Sequence, residues 1–180
     1  MYITYYDSPI GRLLLAERDG ALAGLWIEGQ KYFPDSWQGE VTVKPDTPVF
    51  KRTIDWLERY FRGEKPSVRE LKLAPSGSEF RRAVWKLLCE IPYGEVTTYK
   101  AIAQKIAISR GLDSMSAQAV GGAVSHNPVS IIIPCHRVVG TDGSLTGYAG
   151  GLDRKVRLLI LEGADRKKMR FVPSYWFADN

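Results

Sequence analysis

The chain has 180 residues, of which 44% are hydrophobic and 25% are charged. This is ordinary globular composition and excludes a disordered or fibrous chain. No stretch approaches the roughly 20 apolar residues that cross a bilayer, and the first residues lack the basic-then-apolar build of a signal peptide. The two cysteines, Cys89 and Cys135, cannot form a disulfide framework, so the sequence predicts a protein of a reducing, cytoplasmic compartment.

The net charge of +5 is unevenly distributed along the chain. Residues 1–75 hold 11 basic and 11 acidic side chains, whereas residues 76–180 hold 14 basic and 9 acidic ones. A polyanion such as nucleic acid is therefore expected to meet the second half. The alternative is that the excess only keeps a small protein soluble, and charge alone does not decide between the two.

The first half is predicted to form a small α+β unit. Three β-rich segments separated by turn signals predict an antiparallel meander: 3–6, 12–18 and 21–27. Residues 29–48 show no firm pattern. A helix is predicted from Pro48 to Arg62, with Phe50, Ile54, Leu57 and Phe61 on its apolar face. No catalytic constellation is visible in this half.

The second half is predicted to be mainly helical, after a linker at residues 64–77. Three helices are expected: one capped by Ser78 and ending near Ile91, one capped by Thr97 or Thr98 and running through Ile106, and one from Ser116 to about Ser125. Two short helices joined by a turn are compatible with a helix-turn-helix.

The segment around Cys135 carries the strongest chemical signal. The apolar run Ile131–Ile133 predicts a buried strand or extended segment that Pro134 ends, so that Cys135 lies where the chain leaves the core. A cysteine acts as a nucleophile when a nearby base or a lowered pKa provides the thiolate. His136 is adjacent, but neighbouring side chains of an extended chain point apart, so contact requires a bend or a bridging water. The alternative is a buried apolar cysteine beside a satisfied histidine.

Three further features bear on this choice. Asn127 could hold a turn or orient a proton carrier. Glu162 ends an apolar helix, 153–162, for which Asp153 is the predicted cap, and could orient His136 as the third member of a relay. Its alternative is a solvated charge at a helix end. The glycine-rich loop 146–151 surrounds Tyr148 and is either a mobile lid that stacks a flat ligand or a surface turn.

Together these residues resemble the O6-alkylguanine-DNA alkyltransferases, the methylated-DNA–protein-cysteine methyltransferases. The matching stretches run in family order between about Phe80 and Gly163, and residues 1–75 match only in general layout. The stretches are 91–96 with Tyr99, 119–123, Asn127-Pro128, 134–138, and 147–151 followed by Glu162.

The resemblance implies a fold and a reaction. The fold would be α+β: a small antiparallel-sheet-plus-helix domain (1–75) and a mainly helical, winged-helix-like DNA-binding alkyltransferase domain (76–180) with a helix-turn-helix. The reaction would be DNA repair by direct, single-turnover transfer of an alkyl group from O6 of a flipped-out guanine to a cysteine thiolate. No cofactor and no metal are expected. The expected partner is double-stranded DNA containing O6-alkylguanine, and the protein would be a monomer without membrane association, in the cytoplasm, at the nucleoid or in a nucleus.

The resemblance also implies residue roles. Cys135 would be the nucleophile and alkyl acceptor, His136 its base through a water, and Glu162 the residue that orients His136. Asn127 would support the cysteine segment, and Tyr99 would protonate or polarise the leaving guanine. Substrate would be bound by Val138, Tyr148, Ala149 and Gly150. DNA would be bound by Gln118, Ala119, Gly121, Gly122 and Ser125.

The chain departs from the family pattern at the expected DNA surface. Gln118 stands where an arginine is usual, and Ser125 and His126 replace basic residues at the end of the same helix. That helix contains no Lys or Arg, so phosphate contacts would come from flanking residues: Arg81, Arg82, Lys100, Lys105 and Arg110. The loop at 109–114 looks longer than usual. Residues 1–75 contain no Cys or His, so the zinc site of some family members is not expected here.

Two other function classes remain open from the sequence. A module that binds alkylated bases without repairing them would explain Gln118, although it would not need the thiol. A Cys-His-Glu hydrolase would explain the three reactive residues, but no oxyanion-hole context accompanies them. Gly121 and Gly122 each cost roughly 1 kcal/mol relative to alanine inside a helix, which a close approach to DNA or protein backbone would justify.

Overall fold

A four-stranded mixed sheet forms the first half of the protein in the computed structural model, which describes residues 1–34 and 39–170. The spatial strand order is β3-β2-β1-β4, with β1 at Tyr2–Ser8, β2 at Gly11–Arg18, β3 at Ala21–Ile27 and β4 at Thr42–Val43. The first three strands are antiparallel, which confirms the predicted meander, and Asp19 and Gly20 take the positive φ angles of its hairpin turn. The unpredicted β4 pairs in parallel with β1 and is too short to show a periodic pattern.

Helix α1, Pro48–Phe61, packs against this sheet. Thr47 caps it by accepting a hydrogen bond from the backbone N–H of Phe50. The buried side of the helix includes Trp56 and Tyr60 as well as Phe50 and Leu57. The predicted members Ile54 and Phe61 are only half-buried, because the large rings of Trp56 and Tyr60 turn the helix toward the core. Tyr60 thereby points into the second half of the chain.

Residues 64–77, predicted as a linker, are packed against the first half. They contain a 3₁₀ turn at Val68–Glu70, and the following residues pair with β3 through Leu22. The backbone N–H of Leu22 donates to Lys72 O, and that of Ala74 donates to Leu22 O. An edge strand has main-chain groups that need partners, and this segment satisfies them on β3.

In the described part of the second half, up to residue 170, there are four α-helices and a two-stranded parallel sheet. The helices are α2 at Glu79–Leu88, α3 at Tyr99–Ser109, α4 at Ala117–Ser125 and α5 at Leu152–Leu161, and the strands are β5 at Thr97–Thr98 and β6 at Val138–Val139. The cap predicted at Ser78 is confirmed, and of the two residues predicted for α3 the cap is Thr98. Ser116, predicted as the first residue of its helix, is the cap of α4. Each of the three side chains accepts a hydrogen bond from a first-turn N–H. None of the described helices has the length and apolar character needed to span a membrane.

One hydrophobic core contains residues of both halves. The segment that leads to Cys135 is joined to β3, because Leu25 N–H donates to Pro128 O and Ser130 N–H donates to Leu25 O, each at 2.8 Å. Trp85 on α2 donates its indole N–H to Ala123 O on α4 at 2.8 Å. The cysteine segment is therefore bonded to the sheet of the first half, and it also contacts α2 of the second half.

Two local predictions near the cysteine are wrong. Ile131–Ile133 is buried but not a strand: Ile131 has φ +71°, and Ile132 N–H turns back to Ser130 O at 2.8 Å. A short apolar run indicates burial on all sides and does not distinguish a strand from a packed turn. Asp153 is not the cap of α5, because Gly151 occupies that position with φ +90° and Asp153 lies in the first turn.

Candidate active site

Cys135 is held by a single asparagine side chain. Cys135 is 5% exposed and lies in a 3₁₀ turn, Cys135–Arg137. The side-chain amide of Asn127 approaches Sγ at 3.1 Å, donates to Ile133 O at 2.8 Å, and accepts from Val129 N–H at 3.0 Å through its oxygen. One amide thus closes the turn before the cysteine and directs an N–H group at the sulfur.

His136 faces a buried carboxylate. Its Nε2 lies 2.8 Å from Oε1 of Glu162, and both side chains are fully buried. The 3₁₀ turn supplies the bend that an extended segment would have lacked. With Glu162 ionised, Nε2 carries the ring proton and donates a hydrogen bond to the carboxylate. Nδ1 is then unprotonated and holds a lone pair. In the described part of the chain Nδ1 has no hydrogen-bond partner, which leaves it available as a base.

Glu162 is not the solvated helix-end charge that was the alternative prediction. Its carboxylate accepts hydrogen bonds from Tyr60, His136, Arg137 and the backbone N–H of Gly94. Arg137 binds both oxygens, through Nε at 2.8 Å and Nη2 at 2.9 Å. Burial alone would raise the pKa of Glu162, but the hydrogen bonds from His136 and the ion pair with Arg137 hold that pKa far below its usual value. The carboxylate is therefore ionised.

Sequence reasoning assigned no role to Arg137 or Tyr60. Arg137 follows the Cys-His pair directly, so its position was a usable signal. Tyr60 lies 102 residues from Glu162 and had no such signal.

The reacting pair is electrically neutral at rest. Burial raises the pKa of the Cys135 thiol, and the hydrogen bond from Asn127 and the charge of Lys155 offset part of that rise. Burial lowers the pKa of His136, although the Glu162 carboxylate opposes this. A neutral thiol beside a neutral imidazole can react only after the proton moves from one to the other.

Lys155 is a buried cation without a carboxylate among its recorded hydrogen-bond partners. Its Nζ donates to Val138 O at 2.5 Å and to Thr146 O at 3.0 Å. Burial lowers its pKa to about 8. Lys155 precedes Glu162 by seven residues on α5, and this spacing, which puts both on one helix face, was the signal that the sequence analysis missed.

A groove of about 750 Å³ opens beside this cluster. Tyr99 and Tyr148 line this groove, and the Tyr148 ring also meets the His136 ring edge-on, with centroids 6.4 Å apart. Burial raises the pKa of each phenol, and the negative charge of Cys135 in its thiolate form raises it further. The pKa of Tyr99 reaches about 12, so its hydroxyl stays protonated and can donate. The groove is lined by Lys31, Tyr32, Tyr99, Ala117, Gln118, Gly121, Gly122, Ser125, Thr146, Gly147, Tyr148 and Ala149.

The glycine-rich loop is tethered to the body of the protein. Tyr99 OH donates to Thr146 O at 2.9 Å, Lys155 donates to the same carbonyl, and Lys31 N–H donates to Ala149 O at 2.9 Å. A Cβ at Gly147 would lie 2.7 Å from the Tyr99 hydroxyl, and φ there is +80°, so the close approach requires glycine. The buried hydroxyl of Tyr148 has no partner among the described residues.

Most predicted contact residues line the groove, and three do not. Val138 is fully buried, and its carbonyl accepts from Lys155. Gly150 is buried against the Tyr148 ring, 2.5 Å from where a Cβ would stand, so it serves to seat that ring. Ala119 is exposed on α4 outside the lining.

The first half also reaches the groove, which sequence reasoning missed. Tyr32 stacks on His126 with ring centroids 4.0 Å apart and takes an unusual φ of +61°. The ammonium of Lys31 lies 5.2 Å from the Tyr32 ring. Two of the predicted phosphate-binding residues are otherwise engaged, since Arg110 pairs with Glu79 and Arg82 donates to Gly77 O.

The second cysteine differs from the first in its surroundings. Cys89 is half-buried at the end of α2, and burial raises its pKa to about 11. Within residues 1–34 and 39–170, no three His, Cys, Asp or Glu side chains are grouped so that they could hold a metal ion.

Comparison with known proteins gives concordant matches along the chain. Residues 79–164 match the family described as 6-O-methylguanine DNA methyltransferase, DNA binding domain, and residues 1–75 match its ribonuclease-like domain. Methylated-DNA–protein-cysteine methyltransferases of Haemophilus influenzae and Methanosarcina barkeri are 40% and 47% identical, covering 97% and 90% of this chain and 97% of each relative. The crystal structure of Mycobacterium tuberculosis OGT in complex with DNA superposes with a TM-score of 0.80 at 39% identity, covering 94% of this chain and 95% of the other.

The burial of His136 predicts how stability depends on pH. Because its pKa is lowered on folding, the unfolded chain takes up a proton below about pH 6.5 that the folded protein refuses. The free energy of unfolding should therefore be retained above that pH and fall below it, by at most about 1.4 kcal/mol per pH unit for one proton. Urea unfolding across this range measures the slope. The variant His126→Gln should show the same dependence of the free energy of unfolding on pH. If this dependence disappeared in His126→Gln, it would come from His126 and the assignment to His136 would be wrong.

Proposed function

The chain belongs to the 6-O-methylguanine DNA methyltransferase family, and we infer that it repairs O6-methylguanine in DNA by transferring the methyl group to Cys135. The observation that carries the choice of residue is the cluster in which Asn127 contacts Sγ and Glu162 holds His136, next to a groove. The protein binds DNA as its substrate. The monomeric state and the domain boundary near residue 75 stay predictions.

The proton of the thiol is transferred first. Nδ1 of His136 accepts the proton of Cys135 through a bridging water, and Glu162 stabilises the imidazolium that results. The N–H of Asn127 and the charge of Lys155 stabilise the thiolate, since both lower the pKa of Cys135. Each of these groups is in place before the substrate arrives.

Methyl transfer is then a displacement at a saturated carbon. The Cys135 thiolate forms the S–C bond while the C–O6 bond breaks and its electron pair passes to the guanine. The Tyr99 hydroxyl exchanges its hydrogen bond to Thr146 O for one to the guanine and gives the guanine its proton. The proton that His136 took from the thiol then restores the phenol. The thioether is not hydrolysed, so each molecule reacts once.

The groove supplies the DNA-facing surface. The surface of α4 that lines the groove would face the duplex, and it consists of Gln118, Gly121, Gly122 and Ser125. The exposed Ala119 lies next to this surface on the same helix. Apart from the backbone of α4 itself and the two neighbouring residues, no described residue has an atom within 4 Å of a Cβ built on Gly122, so packing against them does not require glycine there. Close approach of a DNA backbone does explain it. Tyr148 and Ala149 wall the base pocket, and main-chain groups near Val138 read the base edge.

The primary test is a mass measurement after incubation with O6-methylguanine DNA. We expect the peptide containing Cys135 to gain one methyl group, with one equivalent transferred per protein molecule. Cys89→Ser should transfer normally, whereas Cys135→Ala should not transfer. Binding of the lesion without any transfer would favour a recognition module, and repeated turnover would favour a hydrolase.

Replacing Lys155 tests its electrostatic contribution. Lys155→Met should raise the pKa of Cys135 and slow methyl transfer at neutral pH by about tenfold for each pKa unit gained. Single-turnover rates across a pH series measure this. Arg157→Met is the matched control, because Arg157 is exposed on the same helix and pairs with Asp153. An unchanged pH profile in Lys155→Met would contradict the assignment.

The substitution Gly122→Ala should raise stability and weaken DNA binding. Gly122→Ala is expected to raise the free energy of unfolding by up to about 1 kcal/mol, because alanine favours the helix. It should also weaken binding to duplex DNA, because the added methyl group stands where the backbone approaches. Chemical denaturation and fluorescence anisotropy measure the two effects. A variant that is more stable and binds DNA unchanged would remove the reason given for this glycine.

A further inference from the structure

Tyr60 brings the first half of the chain into contact with the reactive cluster. It lies on α1 and is 1% exposed. Its hydroxyl donates a 2.7 Å hydrogen bond to Oε1 of Glu162, the same oxygen that accepts from Nε2 of His136. A tyrosine from the sheet-and-helix unit and the proposed base thus donate hydrogen bonds to the same carboxylate oxygen.

The position of this hydroxyl is determined by packing. The Tyr60 ring stacks on Trp56 with centroids 5.4 Å apart, and it makes edge contacts with Phe61 at 5.3 Å and Tyr93 at 5.8 Å. Burial, followed by the charge of Glu162, raises the pKa of Tyr60 well above its usual value. The hydroxyl is consequently a fixed donor that stays protonated.

A third donor on Oε1 changes the basicity of the histidine opposite. Oε1 accepts from Tyr60, His136 and Arg137, and each hydrogen bond withdraws negative charge from the oxygen. A less basic carboxylate holds the imidazolium less tightly, so the pKa of His136 stays low. A histidine with a low pKa is neutral at neutral pH and ready to accept the thiol proton.

We propose that Tyr60 is a positioning residue of the transfer reaction, which orients Glu162 and limits the basicity of His136 through a shared carboxylate oxygen. It acts through these two residues and does not touch the substrate. This inference rests on the proposed function. The titratable or charged groups around Glu162 and His136 are Tyr60, Tyr93, Arg137, Tyr148, Lys155 and Cys135.

The chain offers an unusually clean measurement, because it contains only two histidines, His126 and His136. Imidazole NMR of the full chain therefore yields two titrations, and His126→Gln assigns them. In Tyr60→Phe, which keeps the ring and removes one hydroxyl, the titration of His136 should move up by roughly half to one pH unit while that of His126 stays in place. The acid limb of the methyl-transfer rate should move in the same direction, slowing transfer below neutral pH by about three- to tenfold.

Tyr93→Phe is the matched control. It removes a hydroxyl in the same neighbourhood that donates to Leu161 O at 3.2 Å and leaves the donors to the carboxylate unchanged. It should lose comparable stability and shift neither titration. A folded Tyr60→Phe protein with an unshifted His136, or an equal shift in Tyr93→Phe, would overturn the proposal. Absence of methyl transfer in the wild-type protein would instead overturn the proposed function, and the NMR titration would still measure the link between Tyr60 and His136.

Discussion

The structure depends most heavily on the buried carboxylate of Glu162. An ionised group removed from water is tolerated only when hydrogen bonds and a counter-charge replace its hydration. Here the donors come from three separate parts of the chain: Tyr60 on α1, Gly94 after α2, and His136 with Arg137 in the 3₁₀ turn. Satisfying one side chain therefore requires α1, the loop after α2, the cysteine segment and α5 to meet. The same requirement leaves His136 with one defined tautomer.

The site combines groups that burial alone would make unreactive. Burial raises the pKa of the thiol, and a buried lysine with only carbonyl partners recorded is costly. Both features become useful when a thiolate has to form, because Asn127 and Lys155 then face the new negative charge. A single-use protein does not have to release its product from the sulfur. Its site can therefore be organised around forming one bond.

The helix that we propose faces DNA, α4, is neutral in a protein with a net charge of +5. Helix α4 carries no Lys or Arg, and its glycines allow close approach in place of ionic contact. In the groove that it lines, the cationic side chain is Lys31, which comes from the half of the chain with no net charge. The charge difference between the two halves is therefore a property of their composition. The groove surface of the folded protein contains side chains from both halves.

The sequence by itself determined much of the local structure and indicated the proposed reactive residues. The cap at Ser78 could be predicted, and the cap of α3 could be narrowed to Thr97 or Thr98, because a cap depends on a hydrogen bond three residues away. The Cys-His pair was visible as adjacent letters. The turn at 131–133 could not be predicted, because a short apolar run indicates only that a segment is buried and not whether it is a strand or a turn. The contact of Tyr60 with Glu162 was equally hidden, because it joins residues 102 positions apart. Only the tertiary structure decided this contact, because the packing of α1 against the common core determines the position of the Tyr60 hydroxyl. No local sequence pattern reports that the hydroxyl and Glu162 are close in space.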